Sequence, residues 1–362
     1  MIAPGIDAAR LQPAFDLVAG QVAGGLVPSA VLAVGRGSGM VRVEAYSGSD
    51  RVTTDSIYLL ASISKSIVAT AVMQLVERGL LDLSTPLRQY LTAFRAPAAA
   101  EGLPGGEAVT ARHLLTHTSG MMEMEQDLLV RERPSAARLL EIACTSPLRF
   151  APGTRYQYSS LSWAVLGELI HRLDGRDHPA YLRDQIFGPL DMADAGYAPA
   201  DKERAVALHF EHIPRPLQSI ATSFFISMTA PGGGLWSTAG DLVNFGRAML
   251  GGGSLGDARI LGRRFVEQMT SDQTAGLLDS ATPRAPAHYG LGWSLPGLDG
   301  HLPGSAHAFG HGGLTGTRLL VDPDADLVVV YLANRWGIGD GPSWAAIHAV
   351  HDALGDPREG AS

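Results

Sequence analysis

Two residues three positions apart open the chemical reading of this chain: Ser62 and Lys65, in Ser62-Ile63-Ser64-Lys65. Apolar residues recur with helical spacing from Ser62 to Arg78 and Gly79 follows, which predicts a helix beginning at the serine. Residues three apart share a helix face, so hydroxyl and amine would touch. A serine is a weak nucleophile until a neighbouring base takes its proton, and the positive end of the helix dipole favours the negative charge that then develops. The same tetrapeptide can also be a capping serine beside a surface lysine, and composition separates the two readings. The only lysines are Lys65 and Lys202. An ammonium gives up its proton when desolvated and a guanidinium does not, so a base is drawn from lysine. Lys202 lies in the charged cluster Asp201-Lys202-Glu203-Arg204, whereas Lys65 sits behind the apolar run from Ile57 to Ala61 and ahead of an apolar helix.

Two further segments carry candidate groups. Pro152-Gly153-Thr154-Arg155-Tyr156-Gln157-Tyr158-Ser159-Ser160 is turn-rich and leads into a helix. A phenol held near cations can act as acid or base, but a tyrosine in such a place can equally be a half-buried anchor, and the segment alone does not decide. Gly310-His311-Gly312-Gly313-Leu314-Thr315-Gly316 is glycine-dense sequence at a strand. It reads either as a bare strand edge offering a backbone N–H to an oxyanion or as a glycine-rich bulge with an incidental histidine. His113 and His117 are four apart, but no glutamate follows the first as in zinc proteases, so structural hydrogen bonding is expected of them. His301 and His307 lie in a Gly/Pro loop and are expected at the surface. Cys144 falls in the apolar phase of its helix and reads as a small buried side chain.

The elements that must position these groups fall into three stretches. Ala8 to Val22 has helical spacing, and Pro28 to Val34 and Val41 to Tyr46 read as a hairpin. At the other end, Thr317 to Val321 and Leu327 to Ala333 flank the turn Asp322-Pro323-Asp324-Ala325-Asp326, and Trp344 to Leu354 is again helical. Joined, the two hairpins would make one antiparallel sheet with both terminal helices on one face. The middle is mostly helical, with helices over Ser62 to Arg78, Ser135 to Cys144, Ser162 to Leu173 and Thr238 to Leu250. The expected organisation is an α/β sheet domain from 1–60 and 285–362 around a mainly helical region, 61–284.

Taken in order, Ser62-x-x-Lys65, Tyr158-Ser159-Ser160 and His311-Gly312-Gly313 resemble the three signatures of the serine β-lactamase and penicillin-binding-protein superfamily. His113-Leu114-Leu115-Thr116-His117-Thr118-Ser119-Gly120, Pro152-Gly153-Thr154 and Gly233-Gly234-Leu235-Trp236-Ser237-Thr238 are similar to its class C-like branch, which includes family VIII carboxylesterases, D-aminopeptidases and related acyltransferases. The resemblance runs from about Pro28 to Arg335. It implies the β-lactamase-like fold, with Ser62 acylated, Lys65 and Tyr158 sharing the proton transfers, the backbone N–H groups of Ser62 and Leu314 forming an oxyanion hole, and Ser160, His311, Gly312 and Gly313 facing substrate. Two departures narrow the chemistry. Ser160 replaces the asparagine amide of Tyr-x-Asn, and His311 replaces the lysine of Lys-Thr-Gly that meets the carboxylate of a β-lactam. A serine hydrolase acting on esters or amides and poor on β-lactams is therefore expected. The alternatives are an acyltransferase using the same acyl-enzyme and a non-catalytic binding protein of the same fold.

Composition sets the outer limits. The net charge of −8 and the absence of a basic run exclude a phosphate-tracking surface. A single cysteine excludes intrachain disulfides, and no cofactor or metal is expected. No apolar run approaches the ~20 residues of a membrane span, and the start, Met1-Ile2-Ala3-Pro4-Gly5-Ile6-Asp7, lacks the basic head of a secretory signal, so a cytoplasmic location is expected. The partners expected are a small ester or amide and an acyl acceptor, with the loops from Met121 to Pro134 and Pro214 to Thr229 shaping the choice.

Overall fold

The computed structural model describes residues 8–48, 51–123, 132, 134–211, 213–214, 218, 220, 222–224, 227, 229–281, 285–296 and 302–354. Met1 to Asp7, His301 and much of the loops 121–134 and 214–229 lie outside the described residues.

After a short 3-10 turn at Ala8–Leu11, a proline in its first turn helps start α1 (Gln12–Ala23), because its fixed φ suits the helix and its missing N–H is no loss there. β1 (Ser29–Arg36) and β2 (Gly39–Ser47) form the first hairpin. The strands run further toward the turn than their apolar pattern suggests, since pairing continues to Arg36 opposite Gly39 and leaves only Gly37 and Ser38 as the loop. At the other end of the chain, β7 (Phe309–Gly312), β8 (Arg318–Asp322) and β9 (Leu327–Ala333) are followed by α9 (Gly341–Leu354). The five strands form one antiparallel sheet in the order β2-β1-β9-β8-β7, so the N- and C-terminal parts of the chain meet where β1 pairs with β9.

Strand alternation divides the core in two. Ala30, Leu32, Val34, Val329 and Tyr331 face α1 and α9, meeting Phe15, Val18, Ile347 and Val350. Val31, Ala33, Leu319, Val328 and Val330 face the opposite way, into the larger core. There α7 (Ala239–Leu250), capped by Thr238 accepting from the Asp241 N–H, covers the second face with Leu242, Val243 and Phe245. Because both faces are covered, β1 and β9 are buried along their whole length and read as nearly unbroken apolar runs.

Between the two halves of the sheet lie β3 (Tyr58–Leu59), α2 (Ile63–Glu77), α3 (Ala111–Leu115), α4 (Ala136–Thr145), α5 (Ser162–Asp174), α6 (His178–Leu182), β4 (Trp236–Ser237), a small hairpin of β5 (Ser254–Leu255) with β6 (Ala258–Arg259), and α8 (Arg263–Met269). α2 is buried from Ile63 to Leu75 and packs on α5, which accounts for its apolar residues all around the axis. Among the described residues no helix is long and apolar enough to cross a membrane.

Candidate active site

Ser62 stands where β3 turns into α2. The Leu60 N–H donates to Leu235 O at 2.8 Å, the next residue, Ala61, adopts φ 47°, and the helix follows at once. A non-glycine residue at positive φ is uncommon and needs firm support from its surroundings. Thr317 Oγ1 donates to Leu60 O at 3.0 Å and Thr315 Oγ1 to Leu59 O at 3.1 Å, tying the loop after β7 to the strand that delivers the serine. Ser62 is the N-terminal cap position, but its side chain makes no capping bond. Its hydroxyl is left for Lys65.

Lys65 is fully buried on α2, and its Nζ lies 3.0 Å from Ser62 Oγ, 3.3 Å from Ser160 Oγ and 2.7 Å from Gly232 O. Burial pulls its pKa down to about 7, against an opposing pull from the Glu123 carboxylate. A neutral amine has two hydrogens and one lone pair. With the hydrogens on Gly232 O and Ser160 Oγ, the lone pair is left facing the Ser62 hydroxyl.

Tyr158 shares side-chain hydrogen bonds with Ser62 and Ser160, and its ring centroid is 4.9 Å from Lys65 Nζ. Burial raises the phenol pKa and outweighs the hydrogen bonds with Ser62 and Ser160, which favour loss of its proton. Tyr158 therefore stands as a neutral O–H. His117 stacks on its ring at 4.3 Å and accepts from the Ser159 N–H at 3.0 Å through Nδ1. Desolvation keeps His117 neutral, and it adopts φ 57°. His113 closes the N-terminal turn of α3 with Thr110. Both histidines thus hold structure, and His307 is an exposed partner of Asp324. Cys144 is buried, which raises its thiol pKa to about 11.

His311, Gly312 and Gly313 form the opposite side. A Cβ on Gly313 would lie 2.2 Å from Thr317 Oγ1 and 2.4 Å from Leu60 O, so only glycine lets this strand end approach the Ser62 turn. The backbone N–H groups of Ser62 and Leu314 have no hydrogen-bond partner among the described residues. The His311 ring is committed at both nitrogens: Nδ1 lies 2.7 Å from Gly312 O, and Nε2 lies 2.9 Å from Tyr289 Oη. A carbonyl can only accept, so Nδ1 carries the hydrogen and Nε2 accepts from the Tyr289 hydroxyl. Burial and the neighbouring Lys65 lower the imidazole pKa to about 3. His311 is a neutral group locked to the protein. Arg318, opposite Gly312 in the β7–β8 register, is the nearby cation, but its guanidinium is ion-paired with Asp340, hydrogen-bonded to Ser343 Oγ at 3.0 Å and stacked 3.7 Å from the Trp344 ring centroid.

Two participants carry no motif of their own. Tyr289 occupies Nε2 of His311, and Glu123 accepts from the Ser160 N–H while acting electrostatically on Lys65. In sequence Glu123 is one of several acids in Met121-Met122-Glu123-Met124-Glu125-Gln126-Asp127. Ser160, expected to face substrate, has its hydroxyl on Lys65 and Tyr158 and its N–H on Glu123.

A family model described as Beta-lactamase matches residues 15–352. Penicillin-binding protein 4 of Amycolatopsis lactamdurans is 32% identical over 290 residues, covering 78% of this chain and 73% of its own length. Esterase EstB of Burkholderia gladioli is 35% identical over 178 residues, 45% of this chain and 44% of its own. The solved structure of EstCE1, a hydrolase with promiscuous acyltransferase activity, superposes with a TM-score of 0.78 at 19% identity, over 97% of this chain and 100% of its own. With its terminal hairpins joined in one antiparallel sheet and a helical middle, the chain belongs to the β-lactamase family of serine hydrolases.

Proposed function

We propose that the protein hydrolyses uncharged esters or amides through an acyl-enzyme on Ser62 and is poor on β-lactams. The observation that carries this reading is the buried Lys65 amine 3.0 Å from the Ser62 hydroxyl, with a pKa brought down to about 7. Near neutral pH much of it is free base. Ser62 Oγ attacks the substrate carbonyl carbon while Lys65 Nζ takes its proton. The resulting oxyanion is received by the free N–H groups of Ser62 and Leu314. As the C–O or C–N bond breaks, the leaving group takes a proton from the Tyr158 hydroxyl, which Lys65 restores. Water then attacks the ester on Ser62 along the same path, releasing the acid. An alcohol or amine in place of water gives acyl transfer, the chemistry named for EstCE1, and product analysis with added alcohol measures the share.

The substrate preference rests on His311 and Arg318. A carboxylate on the substrate would meet a neutral ring already spent on Tyr289 and Gly312, and the adjacent guanidinium is already paired with Asp340. Lack of one charge-assisted contact costs roughly 1.5 to 3 kcal/mol, about ten- to a hundredfold in specificity. Short-chain p-nitrophenyl esters should therefore exceed nitrocefin in kcat/KM by at least that factor at pH 7 to 8. Nitrocefin turnover equal to the best ester would overturn the preference. Acid would be expected to rescue carboxylated substrates if His311 had an ordinary pKa. Because burial lowers it to about 3, no rescue is expected between pH 8 and 5.

A further inference from the structure

We propose that Glu123 is a positioning residue that sets the basicity of Lys65, acting across the site both through space and through Ser160. The proposal deepens the acyl-enzyme reading and rests on it. Glu123 comes from the segment after α3, and its carboxylate accepts the Ser160 N–H, while Ser160 Oγ is 3.3 Å from Lys65 Nζ. The adjoining Ser159 donates its hydroxyl to Met122 O at 2.9 Å, so the segment that carries the carboxylate is clamped to the turn that carries Tyr158. The carboxylate is therefore fixed beside Ser160, whose hydroxyl reaches the amine, and the segment that carries it is tied down at the neighbouring residue.

Among the described residues, the other groups around Lys65 supply no negative charge. Tyr158 and His117 are neutral, His311 is neutral and locked to Tyr289, Trp163 on α5 presents its ring 5.9 Å from Nζ, and Gly232 offers only a carbonyl. Arg318 lies beyond His311 and is paired with Asp340. Among the described residues, the positive group acting on Glu123 is Lys65 itself. Burial works against the charge on both side chains, and each in turn favours the charged form of the other.

The chemical consequence is specific. When Lys65 takes the Ser62 proton it becomes an ammonium in a site without water-like screening, and the Glu123 carboxylate stabilises that ammonium. Removal of the negative charge makes the amine easier to deprotonate but a weaker base. Glu123→Gln should then move the acid limb of the pH profile for kcat/KM to lower pH by about half a unit or more, while the plateau falls about threefold or more with KM little changed. Loss of structure alone would lower the rate without moving the limb.

The chain offers a direct readout, because its only lysines are Lys65 and Lys202 and lysine labelled with 13C at Cε gives two NMR signals. The titration midpoint of the Lys65 signal, assigned by its absence in Lys65→Arg, should fall in Glu123→Gln relative to wild type, and Glu123→Asp should lie between them. Coincident midpoints in folded wild type and Glu123→Gln would overturn the proposal. If Glu123→Gln does not fold, a Lys65 midpoint unchanged in Glu123→Asp has the same force. The NMR titration does not depend on turnover, so it separates failure of this proposal from failure of the acyl-enzyme reading, which shows instead as continued fluorophosphonate labelling of Ser62→Ala.

Discussion

Lys65 holds three polar partners within 3.3 Å, and only a group able to exist without charge can do so as a base. A guanidinium stays protonated throughout the working pH range. Lys65→Arg should thus lose activity nearly as completely as Lys65→Ala, by about a hundredfold or more, the usual reach of a positioned general base. Tyr158→Phe should lower kcat while leaving KM close to wild type, since its hydroxyl serves bond cleavage rather than binding. Ester hydrolysis followed against pH checks both, and a wild-type rate in either variant removes that residue from the proton path. Lys65 was legible in sequence because lysine is so rare in this chain. Glu123 was not, since it lies 37 residues before Ser160 and nothing in local spacing singles it out from the acids that follow it or links it to a base on another element.

At the scale of elements, the site is a junction of one helix start with one strand end, and close approach is its requirement. The Gly313 position leaves no room for a methyl group beside Thr317 Oγ1 and Leu60 O. Gly313→Ala should push the loop after β7 away from the Ser62 turn, costing about 1 to 3 kcal/mol of stability and moving the Leu314 N–H off its target. Activity should fall about a hundredfold, the usual cost of one oxyanion donor. Thermal unfolding and kcat/KM measured together check this, and wild-type values for both would show that the approach is not needed. Most elements could be anticipated, because β9 and α2 carry their burial as apolar pattern. The β3–β4 pairing could not, since two-residue strands such as Tyr58–Leu59 and Trp236–Ser237 leave no periodicity to read.

Over the whole molecule, the sheet closes the two ends of the chain on each other, and α7, supplied by the middle of the sequence, seals the second face. Periodicity indicated the joined hairpins and the terminal helices but not the place of α7, because an amphipathic helix records that one face is buried and not what buries it. This closed frame is what permits a buried amine, a strained Ala61 and a neutral locked His311 to persist around one hydroxyl. The central claim is that this hydroxyl, on Ser62, is the nucleophile. Intact mass after treatment with a fluorophosphonate probe tests it most directly. Because Ser62 makes no capping bond, Ser62→Ala should melt close to the wild-type temperature. Wild type should gain one probe mass and Ser62→Ala none, whereas one probe mass on a folded Ser62→Ala protein would contradict the account.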